Sequence, residues 1–215
     1  MNIIVLGPPA SGKGTQAKLL AKKLALQYLE MGDVLREIAK EATPVGREID
    51  RIMHQEGKLV PDQMTRQVVD DWLKKMGTKR GIVFDGFPRS LGQFKILEEL
   101  LTPRGEEIDK VIYLKVSRET SIKRLTARRI CPQCDFEYNL VTKPPKNNEL
   151  CDQCQVKLIK RKDDTPEVIE LRLKTYQQLT HPLVKYVRQR GILTKIDGEK
   201  SIEAIHQDIM ERLKS

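Results

Sequence analysis

Short apolar runs alternate with longer segments of helical periodicity along most of the chain. Aliphatic runs at residues 2–6, 82–85, 110–116 and 192–196 predict buried strands. Helical spacing of apolar positions predicts helices over residues 14–26, 32–42, 44–55, 61–75, 90–101, 118–129, 166–190 and 201–213. Because strands and helices alternate, the pattern predicts an α/β fold, a doubly wound parallel sheet of about five strands with helices on both faces.

Two segments interrupt this alternation. Residues 30–60 hold two short polar helices, the first capped by Gly32-Asp33, before Gly57 and Pro61 break the pattern. Residues 127–164 contain four cysteines, Pro144-Pro145 and few aliphatic side chains. Each segment therefore predicts a small insertion, the first of them helical. The core is expected from residues 1–29, 61–126 and 165–215.

The composition is that of a globular protein with a sizeable core. The 215 residues are 39% hydrophobic and 32% charged, which excludes disorder, collagen and coiled coil. No basic residue precedes the N-terminal apolar stretch at residues 3–6, which stops at Gly7-Pro8-Pro9. This stretch is too short for the core of a signal peptide or for a bilayer span. We expect a cytoplasmic protein that does not bind membranes.

The positive charge alone does not identify a ligand. A formal net charge of +9 attracts nucleic acid, membrane surfaces and small anions alike. The basic residues are scattered in small groups such as Arg128-Arg129 and Lys160-Arg161-Lys162, with no run of five or more. This distribution favours phosphate-bearing ligands of modest size.

A glycine-rich loop connects the first predicted strand to the first helix. Its sequence is Gly7-Pro8-Pro9-Ala10-Ser11-Gly12-Lys13-Gly14-Thr15. Backbone N–H groups and a helix N-terminus in this context bind phosphate, and Lys13 is expected to reach the outer phosphates. The general motif has Ser or Thr directly after the lysine, whereas here Gly14 precedes Thr15. Metal binding by the Thr15 hydroxyl therefore does not follow from the motif.

With this variant loop, the chain resembles the nucleoside monophosphate kinases, and among them the adenylate kinase family, from Ile3 to about Lys200. Four more motifs appear in the family's order: Gly32-Asp33-Val34-Leu35-Arg36, Gly57-Lys58-Leu59-Val60, Asp85-Gly86-Phe87-Pro88-Arg89 and Arg161-Lys162-Asp163-Asp164. The resemblance implies a P-loop core, a monophosphate-binding insertion and a lid. It also implies reversible, Mg²⁺-dependent phosphoryl transfer, ATP + AMP = 2 ADP, by a monomer.

The resemblance also implies the site residues. Lys13, Arg89, Arg124, Arg161 and Arg172 are the expected catalytic residues. Contacts with ATP are implied for Ala10, Ser11, Gly12, Lys13, Gly14, Thr15, Arg128, Glu137, Tyr138 and Lys200. Contacts with AMP are implied for Met31, Arg36, Lys58, Leu59, Val60, Gly86, Phe87, Pro88, Arg89, Gln93, Arg161 and Arg172.

The chemistry of such a transfer agrees with a site rich in arginine. The nucleophile would be an oxygen of the acceptor phosphate, which is largely ionised at pH 7, so no general base is needed. In-line positioning and positive charge are needed instead, and guanidinium forks supply both. Asp85 ends a strand beside the loop and is expected to hold Mg²⁺, directly or through water. Asp163 and Asp164 either orient Arg161 or cap the helix that starts near Pro166.

Four cysteines form a metal-binding pattern. Cys131-x2-Cys134 and Cys151-x2-Cys154, separated by sixteen residues, have the spacing of two knuckles on one tetrahedral Zn²⁺. A cytoplasmic location argues against disulfides, and a closed ligand set leaves no position for catalysis. We expect a structural zinc that folds the lid.

Two departures from the family pattern leave alternatives open. Glu30-Met31 stands where the family usually has Ser-Thr, and Met31 cannot donate the hydroxyl hydrogen bond to the acceptor base. That loss relaxes discrimination among monophosphates by about 1 kcal/mol. Gln93 still matches the adenine-reading residue, but a kinase for another monophosphate remains the alternative. Ala10 replaces a usual glycine, with a small expected effect.

A protein that binds nucleic acid and uses the loop as an ATP switch is the competing class. That class predicts basic residues interleaved with aromatic ones on the cysteine segment. Only Phe136 and Tyr138 are aromatic there. An enzyme that binds ATP and AMP or ADP, and no nucleic acid, explains more of the sequence.

Overall fold

The structure is a computed structural model that describes residues 1–55, 58–77, 80–147, 149–161 and 164–214. In the described residues the strands are β1 Ile3–Leu6, β2 Gln27–Glu30, β3 Ile82–Asp85, β4 Lys110–Lys115, β5 Arg128–Ile130, β6 Glu137–Asn139 and β7 Leu193–Asp197. The α-helices are α1 Lys13–Leu24, α2 Met31–Lys40, α3 Pro44–Asp50, α4 Asp62–Met76, α5 Leu91–Leu101, α6 Arg118–Thr126, α7 Pro166–Thr175, α8 His181–Gln189 and α9 Ile202–Lys214. Arg51–Gln55 and Tyr176–Thr180 are π-helical turns.

The central sheet confirms the predicted α/β fold. Its described strands run in the order β2-β3-β1-β4-β7, and every neighbouring pair is parallel. Alternate residues of β1 enter different cores: Ile4 and Leu6 pack on one face, Ile3 and Val5 on the other. All four are buried because β1 is central and helices cover both faces. The loop after β1 therefore starts from a rigid strand.

Strand β2 was not predicted from the sequence. It is an edge strand in which Leu29 is buried and the other three residues are half-buried, so its apolar signal is weak. Its pairing with β3 places Glu30 beside Asp85 at the carboxyl edge of the sheet. Ligands bind at this edge in open α/β sheets.

Several predicted boundaries are wrong in ways that matter for the site. The helix expected to run to residue 129 ends at Thr126, because residues 128–130 pair with β6 instead. Helix α2 begins at Met31, so Asp33 lies in its first turn and is not its cap. The long helix expected over residues 166–190 is divided by the π-helical turn between α7 and α8. Such pairings and turns depend on contacts that are distant in sequence.

Both predicted insertions are distinct in the structure. α2 and α3 pack together after β2, and β5 and β6 form a separate antiparallel pair after α6. At their rims, Lys40 Nζ of the first insertion lies 3.8 Å from Asp135 Oδ2 of the second. The two insertions thus approach each other at this pair. In the part of the chain that is described, no helix is long and apolar enough to cross a membrane.

Candidate active site

The glycine-rich loop is wrapped around the ammonium group of Lys13. Lys13 Nζ donates hydrogen bonds to the carbonyls of Gly7, at 2.9 Å, and Pro8, at 2.8 Å. A Cβ atom on Gly7 would lie 2.5 Å from Ser11 Oγ and 2.8 Å from the Leu114 carbonyl, so this position requires glycine. Ala10 adopts φ 56°, a left-handed conformation that costs an alanine about 1 kcal/mol. The departure from glycine at Ala10 is thus accommodated at a small cost.

Charges from several segments converge on Lys13. Burial lowers the pKa of its ammonium to about 8; nearby Asp85 opposes this change, while Arg89, Arg172 and Arg128 add to it. These arginines come from the loop after β3, from α7 and from β5. An anion placed among them is attracted by all four cations.

Asp85 lies against the start of α1. It is buried at the end of β3, and a Cβ atom on Gly14 would lie 3.1 Å from its Oδ2. A Cβ atom after Lys13 would therefore be tight against this carboxylate, a contact that Gly14 avoids. Burial raises the pKa of Asp85, and Lys13 counters that rise.

A group of polar side chains that the sequence did not predict surrounds Glu30. The Tyr28 hydroxyl lies 2.9 Å from Glu30 Oε2 and 3.2 Å from Asp85 Oδ2. Lys18 Nζ lies 3.2 Å from Glu30 Oε2 and Arg36 Nη2 lies 3.5 Å from Glu30 Oε1. Burial and neighbouring carboxylates raise the pKa of Glu30 to about 7. The sequence showed that Glu30 replaces the family's usual serine. It did not show which side chains surround Glu30, because these depend on strand β2, which was not predicted.

The backbone of Arg89 is fixed from two helices. Its N–H donates to Gln93 Oε1 of α5 at 2.8 Å, and its carbonyl accepts from the Thr180 hydroxyl at 2.8 Å. Its side chain donates from Nε to the Gly86 carbonyl at 2.7 Å. Arg36 also contacts Asp33, one turn before it in α2. Both arginines expected on the acceptor phosphate are therefore held in defined positions.

One carboxylate joins the lid to helix α7. Asp164 accepts hydrogen bonds from Arg128 Nε and Nη2 at 2.7 and 2.6 Å, and from Arg172 Nη1 at 3.2 Å. Its side chain is only 2% exposed. The cap of α7 is Thr165, whose hydroxyl accepts from the Val168 N–H. Capping by Asp164 is therefore wrong, and the carboxylate contacts Arg128 and Arg172.

The remaining donor-side residues divide into two groups. Arg124 Nη1 lies 3.5 Å from the Ser11 carbonyl, and Arg161 Nη1 lies 3.6 Å from Glu137 Oε2. These side chains lie beside the loop or at the lid. By contrast, Lys200 Nζ bonds Asp208 at 2.7 Å, and the Tyr138 ring is buried in the lid. The structure does not bring these last two side chains to the loop, and their binding of ATP stays a prediction.

The expected acceptor-side residues come from the first insertion and from the segment that follows β3. Met31 and Val60 are buried in the larger core, together with Leu35 and Ile52. Lys58 is exposed. Gly86 adopts φ 71°, and a Cβ atom there would lie 3.1 Å from Arg89 Nη2, so glycine lets the guanidinium approach. Among the residues of the sequence motifs, Gly57, Lys162 and Asp163 lie outside the described ranges.

The four cysteines meet as the spacing predicts. Their Sγ atoms all lie within 4.8 Å of one another, and those of Cys134 and Cys151 are 3.8 Å apart. Tetrahedral zinc with Zn–S bonds of about 2.3 Å places sulfurs about 3.8 Å apart. The donor set therefore fits a zinc ion. The Tyr138 hydroxyl, 3.6 Å from Cys151 Sγ, also accepts from the Asp152 N–H.

Comparisons with known proteins agree with this geometry. The family model for adenylate kinase matches residues 5–192. A protein named adenylate kinase from Kosmotoga olearia is 40% identical over 215 residues, which cover 100% of both chains. Another, from Caldanaerobacter subterraneus subsp. tengcongensis, is 40% identical over 99% of this chain and 96% of its own. A third, from Clostridium botulinum, is 40% identical over 97% and 96%.

Proposed function

The chain belongs to the adenylate kinase family, and from this premise we propose how its residues catalyse ATP + AMP = 2 ADP. Membership makes the protein a nucleoside monophosphate kinase, a phosphotransferase that binds ATP and AMP or ADP. The observation that carries the proposed mechanism is the set of cations around the phosphate loop. Lys13 is held by the loop carbonyls, Arg124 Nη1 lies 3.5 Å from the Ser11 carbonyl, and Asp164 bonds both Arg128 and Arg172. Four cations from separate segments create a site for the phosphates of two nucleotides.

The loop and the lid hold the donor. Backbone N–H groups at the start of α1 bind the phosphates of ATP, and Lys13 exchanges its two carbonyl partners for phosphate oxygens. Arg124, Arg128, Arg161 and Arg172 neutralise the charge that spreads over the transferred group. Because guanidinium groups stay ionised when water is excluded, they retain this ability after the lid closes.

Arg36 and Arg89 hold the acceptor phosphate in line with the transferred group. One of its ionised oxygens attacks the terminal phosphorus of ATP, forms the new P–O bond, and the bond to the leaving ADP breaks. The second pKa of a phosphate monoester is about 6, so the attacking oxygen needs no general base at pH 7. Gln93 and the segments that contain Met31, Leu59 and Val60 contact the acceptor base.

The proposed enzyme uses two metal ions, one with the nucleotide and one in the lid. The family implies Mg²⁺ with ATP, and Asp85 would hold it, directly or through water. Its role is to supply positive charge to the phosphate oxygens. Cys131, Cys134, Cys151 and Cys154 would hold a structural Zn²⁺ in the lid. We further propose a cytoplasmic monomer that binds neither nucleic acid nor membranes.

The test is coupled ADP formation from ATP with AMP, CMP, UMP and GMP in turn, at fixed Mg²⁺. We expect a strong preference for AMP. In Lys13→Met the rate of ADP formation should fall at least about a hundredfold, because the variant lacks the positive charge that contacts the transferred phosphoryl group. Comparable rates with another monophosphate would show that Met31 has relaxed the specificity. Absence of transfer to every acceptor would contradict the proposed mechanism.

A further inference from the structure

Glu30 places a carboxyl group beside the acceptor site, and above its pKa of about 7 this group adds a negative charge there. The family usually has serine at this position, which cannot carry that charge. Here the carboxylate lies at the end of β2, in register with Asp85 of β3. Its side chain is 22% exposed. Its position is thus defined by the sheet rather than by a mobile loop.

Three groups fix the Glu30 carboxylate. Tyr28 and Lys18 hold Oε2, at 2.9 and 3.2 Å, and Arg36 Nη2 lies 3.5 Å from Oε1. Lys18 also lies over the Tyr28 ring, 5.6 Å from its centre. Two of these three contacts do not involve Arg36. The carboxylate therefore stays in place when Arg36 turns to another anion.

Arg36 is the group that the acceptor phosphate must engage under the proposed function. In the structure, its Nη2 atom is in contact with both Glu30 and Asp33. A phosphate oxygen that binds this nitrogen comes close to the Glu30 carboxylate, and the two anions repel each other. The repulsion grows with the charge of the ligand, so it acts on the phosphate and not on the base.

We propose that Glu30 is an internal counter-ion of the acceptor site, which weakens binding of the acceptor phosphate and so sets the affinity for the monophosphate. This proposal rests on the proposed function, because it takes Arg36 as the acceptor's phosphate ligand. Removing the charge while keeping the side chain's shape tightens monophosphate binding. The neutral nucleoside, which has no phosphate, binds as before.

The experiment compares the unmodified protein with Glu30→Gln by calorimetric titration with AMP and with adenosine, without donor, at pH 8. At this pH both the carboxylate and the phosphate are ionised. We expect AMP to bind about tenfold more tightly to the variant, since one repulsive charge is lost. Adenosine binding and the KM for ATP should not change. The matched control is Glu37→Gln, since Glu37 is an exposed residue of α2 that pairs with Lys40.

A second variant, Glu30→Ser, restores the residue usual in the family and serves if the amide variant fails to fold. It too should bind AMP more tightly, although its side chain is too short to reach the phosphate itself. Unchanged or weaker AMP binding in both variants would overturn the proposal. So would an equal gain for adenosine, because the effect would then concern the base. Binding is measured without turnover, so the outcome is independent of whether the protein transfers phosphate.

Discussion

At the scale of single residues, Asp164 decides how two of the arginines are presented. It is buried between Arg128 of β5 and Arg172 of α7, and binds the first through two hydrogen bonds. A paired, two-point contact fixes both the distance and the plane of a guanidinium group. We therefore expect Asp164 to act as a positioning residue that holds Arg128 and Arg172 in place for the donor phosphates.

Asp164→Asn should lower kcat at least about tenfold, because Arg128 and Arg172 lose their shared anchor and in-line placement suffers. It should also destabilise the fold by about 3 kcal/mol, since the buried guanidinium group of Arg128 loses its two-point contact with a carboxylate. Steady-state kinetics and urea unfolding measure the two effects. Glu170→Gln is the control: Glu170 is an exposed residue of α7 paired with Arg118, and its loss should cost less than about 1 kcal/mol. Equal effects of the two changes would contradict this role.

At the scale of elements, the π-helical turn Tyr176–Thr180 connects the helix that carries Arg172 to the acceptor side. Thr180 lies at the end of this turn and is buried. Its hydroxyl donates to the carbonyl of Arg89, whose N–H is held by Gln93. π-helical turns occur often at functional sites. Here the turn brings a hydroxyl to the backbone of Arg89, the arginine that we propose binds the acceptor phosphate.

Thr180→Val keeps the shape of the side chain and removes this hydrogen bond. We expect the KM for AMP to rise about threefold to tenfold, at a cost of about 1 kcal/mol, and the KM for ATP to stay unchanged. Thr180→Ser restores the hydroxyl and should restore the KM for AMP. Kinetics with each nucleotide varied in turn provide the measurement. A parallel rise in both KM values, or no recovery with serine, would show that Thr180 only supports the fold.

At the scale of the whole molecule, the lid differs from the rest in how it is stabilised. The sheet has extensive apolar cores on both faces, whereas the buried cluster of the lid consists of Cys131, Tyr138, Cys151 and Leu158. Half of these are zinc-ligand candidates. So small a cluster does not support independent folding, and structural zinc supplies folding free energy directly.

Removal of zinc should therefore unfold the lid and leave the sheet intact. After treatment with a chelator and return of excess Mg²⁺, we expect phosphoryl transfer to be lost while most far-UV circular dichroism remains. Metal analysis should find one zinc per chain before treatment, and Cys151→Ser should reproduce the loss. Full activity in protein shown to be free of zinc would contradict a metal-folded lid.

The amino-acid sequence alone was enough to predict the α/β class, the phosphate loop, the two insertions and the grouping of the cysteines around one centre. These depend on local periodicity and on short motifs, and both are written in neighbouring residues. The contacts within the loop were less predictable. The motif identified Lys13, but the close approach of Asp85 to Gly14 was found only in the structure.

The edge strand β2, by contrast, was found only in the folded chain, as were the position of Glu30 and the partners of Asp164. Strand β2 has a weak apolar pattern and is defined by hydrogen bonds to β3, more than fifty positions away. Asp164 was expected at Arg161 or a helix cap, and instead binds Arg128, thirty-six positions distant. Long-range pairing depends on how the chain folds back on itself, and side-chain spacing along the sequence carries no record of that geometry.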